Sequence, residues 1–175
     1  MQIKKASVEL KGLSPILMSR FPLEPIEGLS KKTPEEQCEI SAYRDASREL
    51  YVPAVALQRC IVNGGKFVRG KGRGTLSKTA GSCLIVQPEN LLLGTKNYVM
   101  DTRSVVVPAT GGRILRYRPR VDQWKLSALI EWDPTLISEK EMRSCIECAG
   151  LRAGLLDFRP EKGGPYGRFE IETWK

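Results

Sequence analysis

Residues 2–12 alternate Ile3, Ala6, Val8 and Leu10 with Lys4, Ser7, Glu9 and Lys11, apart from one slip at Lys4-Lys5. That period of two predicts a strand with one buried face, running on into LSPILMS, where a proline marks an edge or a bend. After a Pro/Gly stretch, TPEEQCEISAYRDASREL carries Thr33, Pro34 and Glu36 at the N-cap, first and third helical positions. This capping-box pattern predicts a helix, and its thin apolar face (Ile40, Tyr43, Ala46 or Ser47) suits an inserted surface helix. YVPAVALQRCIVNGG predicts a short strand and then a core helix with Leu57, Cys60, Ile61 and Gly64 on one face and the glycine pair as its stop. KFVRGKGRGTLSKTAG offers nothing to bury and reads as a mobile basic loop. SCLIVQPENLLLG and YVMDTRSVVVPAT read as strands, and RILRYRPRVDQWKLSALIEWD, alternating on both sides of Pro119, as a hairpin. Ser138 and Glu141 form a second capping box ahead of Met142, Cys145, Ile146, Ala149 and Ala153 at helical spacing, and GRFEIETWK closes as a strand.

The order strand, helix, strand, strand, helix, strand predicts an α+β chain of the ferredoxin-like (RRM-like, βαββαβ) kind. It is read as a single domain, 1–175, with a helical insertion over 20–50 after strand 1 and a basic loop after helix 1.

Composition narrows the chemistry. The chain has no histidine, which removes Ser-His-Asp and Cys-His catalysis and the commonest metal ligand. Of five cysteines only Cys145 and Cys148 make a CxxC, inside a helical pattern and without a second pair, so free thiols of a reducing cytoplasm are expected rather than zinc ligands. No stretch reaches the roughly 18 apolar residues of a membrane span, and the protein is expected to be soluble, cytoplasmic and not membrane-bound. Neither DxD nor ExxE pairs Asp101, Asp122 or Asp157, so no catalytic, metal or cofactor site is assigned.

The formal net charge of +8 is regional. Residues 59–125 hold 13 Lys and Arg against Glu89, Asp101 and Asp122, leaving 15 basic and 17 acidic residues elsewhere. Such an excess suits a polyanion, because each cation set on a phosphate releases condensed counterions. Its alternative is a solubilising surface. Three groups are the candidate nucleic-acid contacts: Lys66, Arg69, Lys71, Arg73 and Lys78 in the basic loop; Arg113, Arg116, Arg118 and Arg120 on one strand; and Arg159, Lys162, Gly163, Gly164 and Arg168 around the glycine-rich turn. Arg116, Arg118 and Arg120 would project from one strand face and repel one another unless an anion lies across them. The glycines could cradle a phosphate with backbone N–H groups, or only supply positive φ for a helix-to-strand connection. Trp124 could stack on an unpaired base or pack in the core, and for Trp132 the core is preferred. No RNP-type run is present, so contacts to backbone and shape are expected, without base readout.

GLSPILM, YVPAVALQRCIVNGG, RILRYRPRVDQW and AGLRAGLLDFRPEKGGPYGRFEIE together resemble a group of short phage and prophage proteins. Their pattern places SPLLMH near the start, YIPA before a helix and GLGDWRP...GRFEV at the end. Ser19 stands where that pattern has histidine, and Leu156 where it has the glycine of GLGD. The layout also resembles the RAMP superfamily of CRISPR effector proteins, whose ferredoxin-like domains carry a glycine-rich loop after the last helix and bind guide RNA backbone. This resemblance implies a RAMP-type domain that binds single-stranded nucleic acid, RNA ahead of DNA, without catalysis, and polymerises along the strand. Two alternatives stay open: a phage-encoded module docking on a host complex such as a CRISPR effector, and a metal-independent endoribonuclease.

Overall fold

The computed structural model describes residues 3–21, 31–70, 72, 74–107 and 109–175. The chain is α+β with antiparallel sheets. Strand β1 (Lys4–Gly12) lies centrally in a four-stranded sheet of order β4-β8-β1-β9, with β4 spanning Ile85–Gln87, β8 Lys125–Trp132 and β9 Phe169–Trp174. Val8 sits opposite Ala128, and Leu10 opposite Leu126 and Ile171. The period of two does its work here: Ala6, Val8 and Leu10 are buried, as are Leu126, Ala128, Ile130 and Trp132 on the neighbouring strand. Ile3 is exposed and outside the strand, so the slip at Lys4-Lys5 is the real edge of the pattern.

Helices α2 (Ala54–Gly64) and α4 (Glu139–Cys148) share one hydrophobic cluster with this face. The predicted face of α2, Leu57, Cys60, Ile61 and Gly64, is the buried one. The glycine pair ends α2, with Gly65 as its C-cap, and Gly64 is also a packing position: a Cβ there would collide with the Cys145 carbonyl of α4, so only glycine lets the two helices approach so closely. The capping boxes at Ser138 and at Thr33, which starts α1 (Pro34–Ile40), are both present. The opposite face of the sheet is a mosaic of matched charges, with Lys5 donating to Glu131 at 2.7 Å and Lys125 to Glu172 at 2.7 Å.

A second sheet, order β2-β7-β6, consists of β2 (Ile16–Leu17), β7 (Arg113–Val121) and β6 (Val99–Val106). The predicted hairpin over 113–132 is therefore corrected. Strand β7 pairs with β6, Arg118 opposite Asp101 and Arg116 opposite Arg103, while β8 turns away at 122–124 into the other sheet. Alternation alone cannot say which neighbour a strand takes. A two-stranded pair, β3 (Tyr51–Pro53) with β5 (Asn90–Leu92), completes the sheets of the described residues.

The loop after α2 is also corrected. Leu76 and Ala80 are buried, Ser77–Cys83 forms helix α3, and the Leu76 N–H donates to the Gly65 and Val68 carbonyls. Arg69 bridges Thr75 across this turn. Lys71 and Arg73 lie outside the described residues, as does much of the Pro/Gly stretch before α1. No helix among the described residues is long and apolar enough to cross a membrane.

Candidate nucleic-acid interface

Arg116, Arg118 and Arg120 stand at alternate positions of β7, and for Arg118 and Arg120 the anions come from the protein itself. Arg118, only 8% exposed, donates to Asp157. Arg120 donates to Asp122 at 2.6 Å and reaches Asp101 at 3.5 Å. On the adjacent strand, Arg103 holds the buried Asp101 through two bonds, of 2.8 and 3.1 Å, and donates to the Tyr166 hydroxyl. Its guanidinium lies 5.2 Å from the Phe158 ring centre and 5.1 Å from that of Tyr166. These hydrogen bonds push both Arg103 and Arg120 further above the ordinary arginine range, for Arg103 chiefly through Asp101 and for Arg120 through Asp122. The 154–168 segment and the β6–β7 hairpin are thus clamped together by ion pairs and stacked rings.

This clamp changes the roles of the predicted contacts. Arg118 and Arg120 are structural. So is Trp124: it is 4% exposed, its indole N–H donates to the Ser14 carbonyl at 2.8 Å, and it packs edge-on to Phe169. Its rings are not available to a base. Trp132 is buried as well, donating to the Ile137 carbonyl.

Gly163 and Gly164 do not form an anion nest. Every backbone N–H from Lys162 to Arg168 donates within the protein: Lys162 and Gly164 to Arg159, Gly163 to Pro160, Tyr166 to Phe158, Gly167 to Pro15, and Arg168 to the Ser14 hydroxyl, while Pro165 has none to give. The turn is instead a helix-to-strand junction. Gly163 has φ 75°, and Gly167, at φ 73°, lies against the Leu155 carbonyl. Leu156, where the phage pattern has glycine, carries φ 58°, and Phe158 carries φ 47°, so strained backbone flanks Asp157 on both sides.

Arg159 and Lys66 meet at Glu161. Arg159 donates to it at 3.2 Å and to the Leu156 carbonyl at 2.7 Å, Lys66 donates at 3.2 Å, and the Asn63 amide at 2.9 Å. Burial works to raise the Glu161 carboxyl, but the bonds from Lys66 and Arg159 outweigh it and the net direction is down. Of the predicted contacts, Arg69, Lys78, Arg113, Arg116, Lys162 and Arg168 make no side-chain hydrogen bond or ion pair among the described residues, and all but the half-buried Arg116 are exposed.

Sequence reasoning passed over Arg59. It is the single charged residue in α2, a signal visible in the chain, and it lines a cavity of about 340 Å³ between α2 and the 154–159 turn, together with Ser19, Tyr43, Asn63, Asp157 and Arg159. The Cys60 thiol in its wall donates to the Gly154 carbonyl at 3.2 Å, and burial pushes it up to about 12, so it stays protonated near neutral pH. Cys38, Cys60 and Cys145 are buried, Cys83 and Cys148 half-buried, and all five thiols are free.

No family model matches the chain, and no curated protein matches it. Its fold is similar to that of a chain in the cryo-EM structure of the type III-B Cmr-beta bound to cognate target RNA, with a TM-score of 0.63 and 13% identity over 99% of this chain. This chain spans 60% of the length of that one. The crystal structure of Cmr6 from Pyrococcus furiosus aligns with a TM-score of 0.49 and 8% identity, covering 98% of this chain and 99% of that one. At these identities the likeness is one of fold.

Proposed function

We propose that this chain is a ferredoxin-like, RAMP-type domain that binds single-stranded nucleic acid, RNA ahead of DNA, through its phosphates and does not cleave it. The observation that carries this is the division of the cations. Arg103, Arg118, Arg120, Arg159 and Lys66 are neutralised internally, whereas Arg69, Lys78, Arg113, Arg116, Lys162 and Arg168 have no carboxylate to hold them. Arginine and lysine left unpaired on a folded surface are available to a polyanion. The strand order β4-β8-β1-β9, with α2 and α4 crossing over one face, supports the ferredoxin-like reading. The fold likeness to a chain of an RNA-bound assembly supports RNA as the class. The open sheet face, with its matched Lys5–Glu131 and Lys125–Glu172 pairs, is not the platform of this reading.

A fluorescent single-stranded RNA titrated at two salt concentrations tests it. With four to six phosphates engaged, log K against log salt should fall with a slope of about −3 to −4. Arg113→Ala with Arg116→Ala should lower the slope by roughly 1 to 1.5. No binding at about 50 mM salt overturns the proposal, as do discrete RNA fragments after long incubation with EDTA. Light scattering on long RNA reads whether copies assemble along it.

A second reading, a protein-docking module, is favoured by the exposed apolar Val106, Ile114 and Leu115 at the far end of the β6–β7 hairpin. A host protein retained after nuclease treatment by the wild type, and lost with Ile114→Ser and Leu115→Ser, is its expected signature.

A further inference from the structure

We propose that the cavity between α2 and the 154–159 turn takes one nucleotide, its phosphate on Arg59 and its sugar or base against Tyr43 and Ser19. This rests on the strand-binding reading and deepens it, since it adds a socket for a single unit to a surface that follows the backbone. Three unengaged groups from three parts of the chain line the cavity: the Ser19 hydroxyl after β2, the Tyr43 hydroxyl after α1, and the Arg59 guanidinium on α2. None of them makes a side-chain hydrogen bond among the described residues. Arg103, Arg118, Arg120 and Arg159 have carboxylates of the protein to hold them, whereas these three donors, gathered on one concavity, are left open to a ligand.

The wall is held in advance of any ligand. Arg159 is fixed by the Leu156 carbonyl and Glu161, and Asp157 by Arg118 and the Phe158 N–H at 2.9 Å. With Arg159 balanced by Glu161 and Asp157 by Arg118, Arg59 is the charge left over, and the site calls for an anion. The volume of about 340 Å³ exceeds what a bare phosphate needs and lies at the lower end of the roughly 300–1,000 Å³ of small-molecule sites. A single nucleotide fits that window. Tyr43 supplies a ring as well as a hydroxyl, the mixed apolar and polar wall that a splayed-out base and its ribose require. The protonated Cys60 in the wall is no nucleophile, so the site binds without covalent chemistry.

Calorimetric titration with the four ribonucleoside 5′-monophosphates, with the matching nucleosides and with inorganic phosphate is the test. The expected result is binding of at least one monophosphate in or below the millimolar range, with its nucleoside and phosphate weaker by about tenfold or more. Arg59→Ala should cost about tenfold or more, whereas Lys140→Ala, which removes an equal charge on α4, should change nothing. Failure of every monophosphate to bind, equal binding of bare phosphate, or an Arg59→Ala variant as tight as wild type overturns the pocket. The two proposals part cleanly. A strand that binds with its full salt slope while monophosphates do not leaves the surface reading standing and removes the socket. Monophosphates that bind while no strand does achieve the reverse.

Discussion

The two larger sheets are held by opposite physics. In the four-stranded sheet, strands bury Val8, Leu10, Ile130, Trp132 and Phe169 against α2 and α4, and the contacts are almost wholly apolar. In the three-stranded sheet, the attachment to the 154–168 segment runs through Arg118–Asp157, the Arg103–Asp101 pair and two aromatic rings around Arg103. The apolar layer derives its stability from area removed from water and loses it irrecoverably when a side chain is cut back. Each ion pair of the clamp has one buried and one partly exposed member, Arg118 with Asp157 and Asp101 with Arg103, so it is sensitive to losing the partner of the buried charge and far less so to losing both. It ties down a hairpin that brings little apolar surface to the joint, and it leaves Arg113 and Arg116 on the same strand unpaired.

That contrast can be broken by experiment. The largest effect is expected from Trp132→Ala, which empties a fully buried site: about 3–5 kcal/mol by urea denaturation, with a loss below about 1 kcal/mol refuting the account of the core. Next, Asp157→Ala leaves the buried Arg118 without its counter-charge and should cost about 1–3 kcal/mol, less than for a fully buried pair because the Asp157 side chain is 37% exposed. The double variant Arg118→Met with Asp157→Leu should recover most of that loss. If the double variant is as unstable as the single one, the clamp is not ionic in origin. The smallest effect concerns pH. Glu161 has a folded pKa below its ordinary 4.5, so its contribution is present above 4.5 and is lost as pH falls through the folded value. The Tm difference between wild type and Glu161→Gln, worth less than about 1 kcal/mol for this half-screened cluster, should shrink in that window and stay flat above it.

Much of the four-stranded half was legible in advance. Strand β1, the buried face of α2, both capping boxes and the strand β9 follow from local period and cap chemistry, which need no knowledge of partners. The candidate site was legible as a set of residues and not as a set of roles. Arg116, Arg118 and Arg120 were seen on one face, yet Arg118 is held by Asp157, 39 residues after it, Arg120 by Asp122, two residues after it, with Asp101 at 3.5 Å, and Arg116 by no carboxylate among the described residues. Arg59 carried a signal, a lone charge in a neutral helix, whose meaning depends on the turn that packs beside it. Leu76 and Ala80 were lost in a glycine-rich stretch because two apolar residues make no period.

The chain by itself determined most of the helices and strands, α3 excepted, where two of the helices begin, which faces are apolar, and that its positive charge is regional, because each of these depends on neighbours within a few residues. Tertiary structure alone decided that β7 pairs with β6 and leaves β8 to the other sheet. It also decided that Trp124 is core, that the glycine turn has spent its N–H groups on Arg159, Phe158 and Pro15, and which arginines are neutralised and which are free. Strand pairing and the long-range ion pairs, Arg118 with Asp157 and Lys66 with Glu161, act through space between residues distant in sequence, so no local pattern records them, whereas Arg103–Asp101, Arg120–Asp122 and Arg159–Glu161 join residues only two apart.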